Sequence, residues 1–288
     1  MGHHNRHFAG DRYALSGAWS PPTSTANFCE EDYAVTRYLA EFINTLTNLI
    51  YVYLALRYMY SGPKSRGLFA PRTDFMSHSL LVLGVASFAF HATLRQTMQF
   101  ADELGMLGIV WSLLQGLLTV SHASSSSPSS SSSSTSTSPS PTQNRSKQLK
   151  TNTALTLAFT LFAAFYVWTG KIIYHATGFW LILALIGLRG YHLLYRHAPP
   201  FAPEKRREWA RRAARALVVL ASGYILWQID LEYCAELRAL RARVGLPWAW
   251  AFELHGWWHI LTGIAAARFM DIVREVRTEL EKEKEKEV

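Results

Sequence analysis

Ser87-Phe-Ala-Phe-His91 places a hydroxyl and an imidazole four residues apart within the apolar run Phe75–Leu94. On a helix the two share one face. His255-Gly-Trp-Trp-His259 repeats the spacing with two imidazoles, and Asp102 follows the first pair after the short link Arg95–Met98. Three imidazoles and an open fourth position, filled by water, are what a catalytic zinc ion uses. Such an ion brings the pKa of its water near neutrality and polarises a carbonyl. Asp102 could take the water's proton and deliver it to a leaving group, and Ser87 could donate to an oxyanion. Glu253 precedes His255, so the pair is not the His-Glu-x-x-His of zincins. A lone histidine in a spanning helix is more often hydrogen-bonded glue between helices. A metal is favoured here because several such groups share one depth. His78, His122, His175, His192, His197 and the cluster His3, His4 and His7 lie at span ends or in tails and are expected at the surface or the interface.

A second constellation precedes these residues. Asn27-Phe-Cys-Glu30-Glu31-Asp32-Tyr33 crowds hard oxygen donors into a short stretch, and Glu41 follows about three helical turns on. Calcium takes ligands of this type. An acidic loop before a helix is also an ordinary N-terminal cap that complements the helix dipole.

Positioning these groups falls to seven apolar segments: Tyr38–Tyr60, Phe75–Leu94, Gln99–His122, Thr151–Thr169, Tyr174–Tyr195, Arg212–Leu231 and Trp250–Met270. Each is near the ~20 residues that a helix needs to cross a bilayer. The mean hydropathy of only +0.03 is an average diluted by Ser-rich and charged stretches, so the local window is the better guide. The expected fold is an all-α membrane protein, a seven-transmembrane-helix bundle with an intramembrane zinc site. Residues 1–37 form a luminal N-terminal segment with the calcium-type loop. Residues 38–270 form the membrane domain, with a disordered Ser-rich cytosolic loop, 123–150, inserted, and residues 271–288 form a charged cytosolic tail.

Orientation follows from Lys and Arg. Loops 61–74, 123–150 and 196–215 and the tail from Arg268 hold most of them, which puts the C-terminus in the cytosol and the N-terminus in the lumen. The net charge of +8 is spread between apolar runs rather than gathered on a compact basic domain, so a nucleic-acid partner is not indicated. Cys29 and Cys234, the two cysteines, are not spaced as a zinc knuckle or a redox pair. They are one disulfide or two inert thiols, and both fall on the oxidising side of this topology. The sequon Asn144-Arg-Ser146 falls on the cytosolic side, so no glycan is expected there. The ending Lys284-Glu-Lys286-Glu-Val288 looks like a dilysine retrieval tail, although Glu/Lys alternation also suits a solvated helix end.

Taken together, Asn27–Tyr33 with Ala40-Glu41-Phe-Ile-Asn44-Thr, Ser87-x-x-x-His91-Ala-Thr-Leu, Asp102-Glu-Leu and His255-Gly-Trp-Trp-His259 resemble the alkaline ceramidase family, including its fungal phytoceramidase and dihydroceramidase members. The resemblance implies a seven-helix zinc amidase of the endoplasmic reticulum or Golgi membrane, acting on a ceramide-type lipid among membrane lipids. It implies zinc on His91, His255 and His259, with Asp102 and Ser87 catalytic. It further implies calcium on Asn27, Phe28 through its carbonyl, Glu30, Asp32 and Glu41, and a disulfide between Cys29 and Cys234. Asn27 stands where the family often has Asp, and Asp32 where it often has Asn, so the charge count of that loop is kept. Progestin and adipoQ receptor-type proteins share the Ser-x3-His, Asp and His-x3-His arrangement. They are the alternative, as lipid receptors or sensors with a structural zinc, and the acidic loop with Cys29 favours the ceramidase.

Overall fold

The computed structural model describes residues 11–61, 71–124, 141–196 and 201–287. Regular structure among them is helical: α1 Phe42–Thr47, α2 Leu49–Tyr60, α3 Phe75–Thr93, α4 Gln96–Ser124, α5 Pro141–Thr169, α6 Ile172–Tyr195, α7 Pro203–Glu232, α8 Cys234–Val244 and α9 Leu254–Glu287, with a 3₁₀ turn at Trp248–Phe252. The protein is thus an all-α membrane protein. Five helices are long and apolar enough to cross a bilayer: Phe75–Thr93, Gln96–Leu118, Asn152–Thr169, Ile172–Tyr195 and Pro203–Glu232. Leu161, Trp168, Trp180 and Leu188 turn outward from them, as suits side chains facing lipid.

The first and last of the seven expected spans differ from this set for separate reasons. The first is divided at Asn48 into α1 and α2. Thr45 and Thr47 hydroxyls donate to the carbonyls of Glu41 (2.5 Å) and Ile43 (2.9 Å), and the Asn48 amide donates to that of Asn44 (2.8 Å). These side chains compete with backbone N–H groups for the carbonyls that would continue a helix. The last falls in α9, where His255 and His259 lower the hydropathy of the opening turns. Two further differences concern length. Helix α5 begins at Pro141 rather than Thr151, and residues 232–249, expected as a loop, contain α8. Residues 125–140 of the Ser-rich insert lie outside the described residues, as do His3, His4, His7 and His197.

The chain divides into two compact units, residues 1–109 with 210–268 and residues 110–209 with 269–288. In the first, α3 starts on a capping box. The Asp74 carboxylate accepts from Ser77 N–H (2.7 Å), and the Ser77 hydroxyl accepts from Asp74 N–H (3.2 Å). It ends at Leu94, whose left-handed backbone (φ 49°) donates to the Phe90 carbonyl (2.7 Å). The Leu94 carbonyl accepts from both Thr23 and Ser24 N–H at 3.0 Å, so burial and three hydrogen bonds hold a conformation that leucine otherwise avoids. That turn brings α4 directly after α3. Two glycines permit close approach elsewhere. A Cβ at Gly84 would lie 2.9 Å from Tyr51 and Val52 of α2, and one at Gly256 would lie 3.2 Å from Ile43 and Thr47 of α1.

The second unit is held by aromatic contacts. Trp111 stacks on Phe159 (5.3 Å) and Phe165 meets Tyr174 (4.9 Å). His175, expected at the interface, is buried against Tyr166 and Phe179. Near the N-terminus of α7, Trp209 donates to Glu275 (3.0 Å) and Lys205 pairs with Glu279 (2.5 Å), both glutamates being on α9.

Candidate metal centre

Helix α3 carries His91 and α9 carries His255 and His259, all buried. Their nearest ring nitrogens lie within 4.8 Å of one another, the group of possible metal ligands that closes this tightly among the described residues. Ring centroids are 5.1 Å (His91–His255), 4.7 Å (His91–His259) and 4.6 Å (His255–His259) apart.

Two of these rings are oriented through Nδ1. His91 Nδ1 meets Glu41 Oε2 at 2.5 Å, and Glu41 N–H donates to the His91 carbonyl at 3.0 Å. His259 Nδ1 meets the Thr47 hydroxyl at 2.9 Å. An acceptor at Nδ1 keeps the proton there and leaves the Nε2 lone pair for an ion. His91 Nε2 is buried without a hydrogen-bond partner, so its lone pair fits a metal ion. His255 is held differently, with Phe28 stacked on its ring (3.7 Å, 18°) and the Trp227 edge 6.2 Å away. The donor set fits a metal ion. Three neutral imidazoles are typical of zinc.

Ser87 lies one turn before His91 on α3 and is buried, and its hydroxyl approaches the carboxyl of Asp102, buried on α4. His91, His255 and His259 thus come together, and Ser87 and Asp102 lie in the same unit of the fold.

The acidic loop is buried too. Glu30 does what a helix cap does: its two oxygens accept from Ile43 N–H (2.6 Å) and Asn44 N–H (2.8 Å) at the start of α1. Glu41 takes Phe28 N–H on Oε1 (3.2 Å) and the Asn44 amide on Oε2 (3.0 Å), the same oxygen that faces His91. It thus touches both constellations, where the sequence had assigned it to one. Asp32 has no hydrogen-bond partner on either oxygen, nor does Asn44 on Oδ1. The Asn27 amide nitrogen approaches Asp32 without reaching hydrogen-bond geometry, and the Asn27 oxygen accepts from Phe28 N–H (2.8 Å). Burial, then the charge of Glu41, pushes the carboxyls of Asp32 and Glu30 up to about 8. Buried oxygens lacking donors fit a cation, and oxygen-only donors suit calcium.

Cys29 and Cys234 form the disulfide that the resemblance implies, and residues beyond the expected set complete the surroundings. Arg238 donates to the carbonyls of Cys29 (2.9 Å) and Glu30 (3.4 Å) and pairs with Asp11; Arg241 donates to the Cys29 carbonyl (2.8 Å) and to Glu253 (2.6 Å). Both arginines had counted only as loop charge. Gln99 accepts Thr25 N–H (2.8 Å) and Ala26 N–H (3.2 Å), which ties the N-terminal segment to α4. Asp230 accepts from Cys29 N–H (3.1 Å) and His255 N–H (3.3 Å). The rule that singled out Asp102, a carboxylate inside an apolar run, applies equally to Asp230.

Comparison with known proteins adds a consistent pattern. A family model described as Ceramidase matches residues 20–288. An alkaline ceramidase of Saccharomyces cerevisiae is 29% identical over 260 residues, covering 87% of this chain and 76% of that protein. Alkaline ceramidase 3 of Mus musculus is 28% identical over 261 residues, covering 87% and 82%. An alkaline ceramidase of Arabidopsis thaliana is 37% identical over a shorter stretch of 100 residues, 35% of this chain and 37% of that protein.

Proposed function

The chain belongs to the ceramidase family, and from that premise we propose that it hydrolyses the amide bond of ceramide, with phytoceramide or dihydroceramide as substrate, to a sphingoid base and a free fatty acid. The observation that carries this reading is the mutual approach of the three imidazoles within 4.8 Å, with Ser87 one helical turn before His91 on α3. His91, His255 and His259 would hold zinc, which when bound supplies a Lewis acid for the carbonyl and a lowered pKa for water.

The protein's own groups then divide the remaining work. Asp102 accepts a proton from the attacking water as its oxygen bonds to the amide carbon. It returns that proton to the amide nitrogen as the C–N bond breaks, so the sphingoid amine leaves neutral. Ser87, buried one turn before His91, donates to the carbonyl oxygen as charge gathers there. Glu41 and Thr47 keep two of the imidazoles oriented throughout.

Asn27, the Phe28 carbonyl, Glu30, Asp32 and Glu41 would hold calcium, supported by the partnerless oxygens of Asp32. The same reading gives seven spans in the endoplasmic reticulum or Golgi membrane. Residues 1–37 are luminal, 38–270 form the catalytic membrane domain and 271–288 face the cytosol. The discriminating experiment uses detergent-purified protein, a fluorescent ceramide and a zinc measurement. Asp102→Ala is expected to retain zinc and lose roughly 10²- to 10⁴-fold in turnover. An unaltered rate overturns the acid/base role, and zinc retention without cleavage of any ceramide by wild type favours the receptor-type alternative.

A further inference from the structure

We propose that Asp230 is a positioning residue for the metal centre, fastening the first turn of α9, and with it His255, to the Cys29 peptide. The inference rests on the reading of the three histidines as metal ligands. Asp230 lies near the end of α7 and is 1% exposed. Its Oδ1 accepts from His255 N–H (3.3 Å) and its Oδ2 accepts from Cys29 N–H (3.1 Å).

The opening N–H groups of a helix have no partner within it, and a carboxylate there also meets the positive end of the helix dipole. What distinguishes Asp230 is which helix it caps. The capped residue is itself a ligand, so the carboxylate sets the depth at which the His255 ring hangs. The neighbours act in the same sense. Trp227 is one turn earlier on α7 and meets the His255 ring in a T-shaped contact, while Phe28, adjacent to Cys29, stacks on that ring. Whereas His91 and His259 are aimed through Nδ1 by Glu41 and Thr47, His255 is aimed through its own backbone. A carboxylate serves because it accepts from separate N–H groups on both oxygens, while an amide has one accepting oxygen and would turn a donor toward the other N–H.

The test is zinc affinity, measured by competition with a chromophoric chelator on detergent-purified full-length chain. Asp230→Asn is expected to weaken zinc binding about 10- to 100-fold, the usual effect of removing a group that orients a ligand. Excess zinc should restore much of its activity, which it does not for Asp102→Ala. Thermal midpoints separate positioning from general destabilisation: the rise on adding zinc should be smaller in the variant than in wild type. Should Asp230→Asn resist purification, Asp230→Glu keeps the charge, displaces the oxygens by a methylene, and is expected to show the same weakened retention. Wild type that holds zinc while the purified variant holds it equally tightly overturns the inference alone. Wild type that binds no zinc overturns the histidine reading and this inference with it.

Discussion

The unit of residues 1–109 and 210–268 buries Asn27, Glu30, Asp32, Glu41, Asn44, Asn48, His91, Asp102, Asp230, Arg241, Glu253, His255 and His259. In the unit of 110–209 and 269–288, the buried polar side chains among the described residues are Ser112 and His175. Both units are helical, and both contain helices apolar enough to cross a bilayer. They differ in what must be satisfied inside. A buried polar group costs free energy unless it is hydrogen-bonded, and a buried charge costs more. The first unit meets that cost with reciprocal contacts such as Glu41 with His91 and Arg241 with Glu253. The second is held by ring contacts, with exposed ion pairs such as Lys205 with Glu279 and Arg274 with Asp271. Tolerance of substitution should therefore be unevenly shared between them.

The largest effect is expected of His255→Ala, which should abolish zinc retention and take ceramide hydrolysis to background; zinc analysis alongside the fluorescent assay checks it. Next is Glu41→Gln, which keeps the shape but weakens the contact with His91. Zinc affinity should fall about 10- to 100-fold, and activity should lose its calcium dependence, whereas equal chelator sensitivity in variant and wild type would separate the two sites. A smaller effect concerns pH. Glu30 and Asp32 hold their protons to about 8 in the folded chain, against ordinary values of 4.5 and 3.8. From pH 4 upward the unfolded chain releases protons that the folded chain still binds, so stability falls toward pH 8 and then levels. Melting curves in chelator should show this decline, and millimolar calcium should flatten it. A slope indifferent to calcium removes the loop as a cation site. The smallest effect belongs to the second unit: Trp209→Phe, which deletes the hydrogen bond to Glu275, should cost about 1 kcal/mol of stability and leave turnover unchanged.

The site was more legible than the frame that carries it. Histidines four apart and a serine four before a histidine announce themselves because helical periodicity fixes which side chains share a face. Asp102 was conspicuous as a charge in an apolar run. Asp230 escaped notice although its run, Ile225-Leu-Trp-Gln-Ile-Asp230-Leu, is as apolar, because its partners are backbone N–H groups 25 and 201 residues away. Backbone groups have no sequence signature. Arg238 and Arg241 were hidden by their side: charge counting orients a membrane protein but does not say which charges turn inward. Helix α8 did carry signals, a run of helix formers in Cys234–Val244 ended by Gly245 and Pro247, but they are weaker than a spanning segment's. The break at Asn48 depends on side chains choosing backbone acceptors, a choice hydropathy cannot register.

The disulfide joins residues 205 apart, and Asp230, Arg238 and Arg241 lie equally late in the chain. During synthesis from the N-terminus, the acidic loop is thus made first and secured last. Until α7 to α9 arrive, Cys29 is a lone thiol beside unpaired carboxylates. A product truncated before Cys234 keeps that thiol permanently, a chemical mark by which unfinished molecules can be told from completed ones and held back.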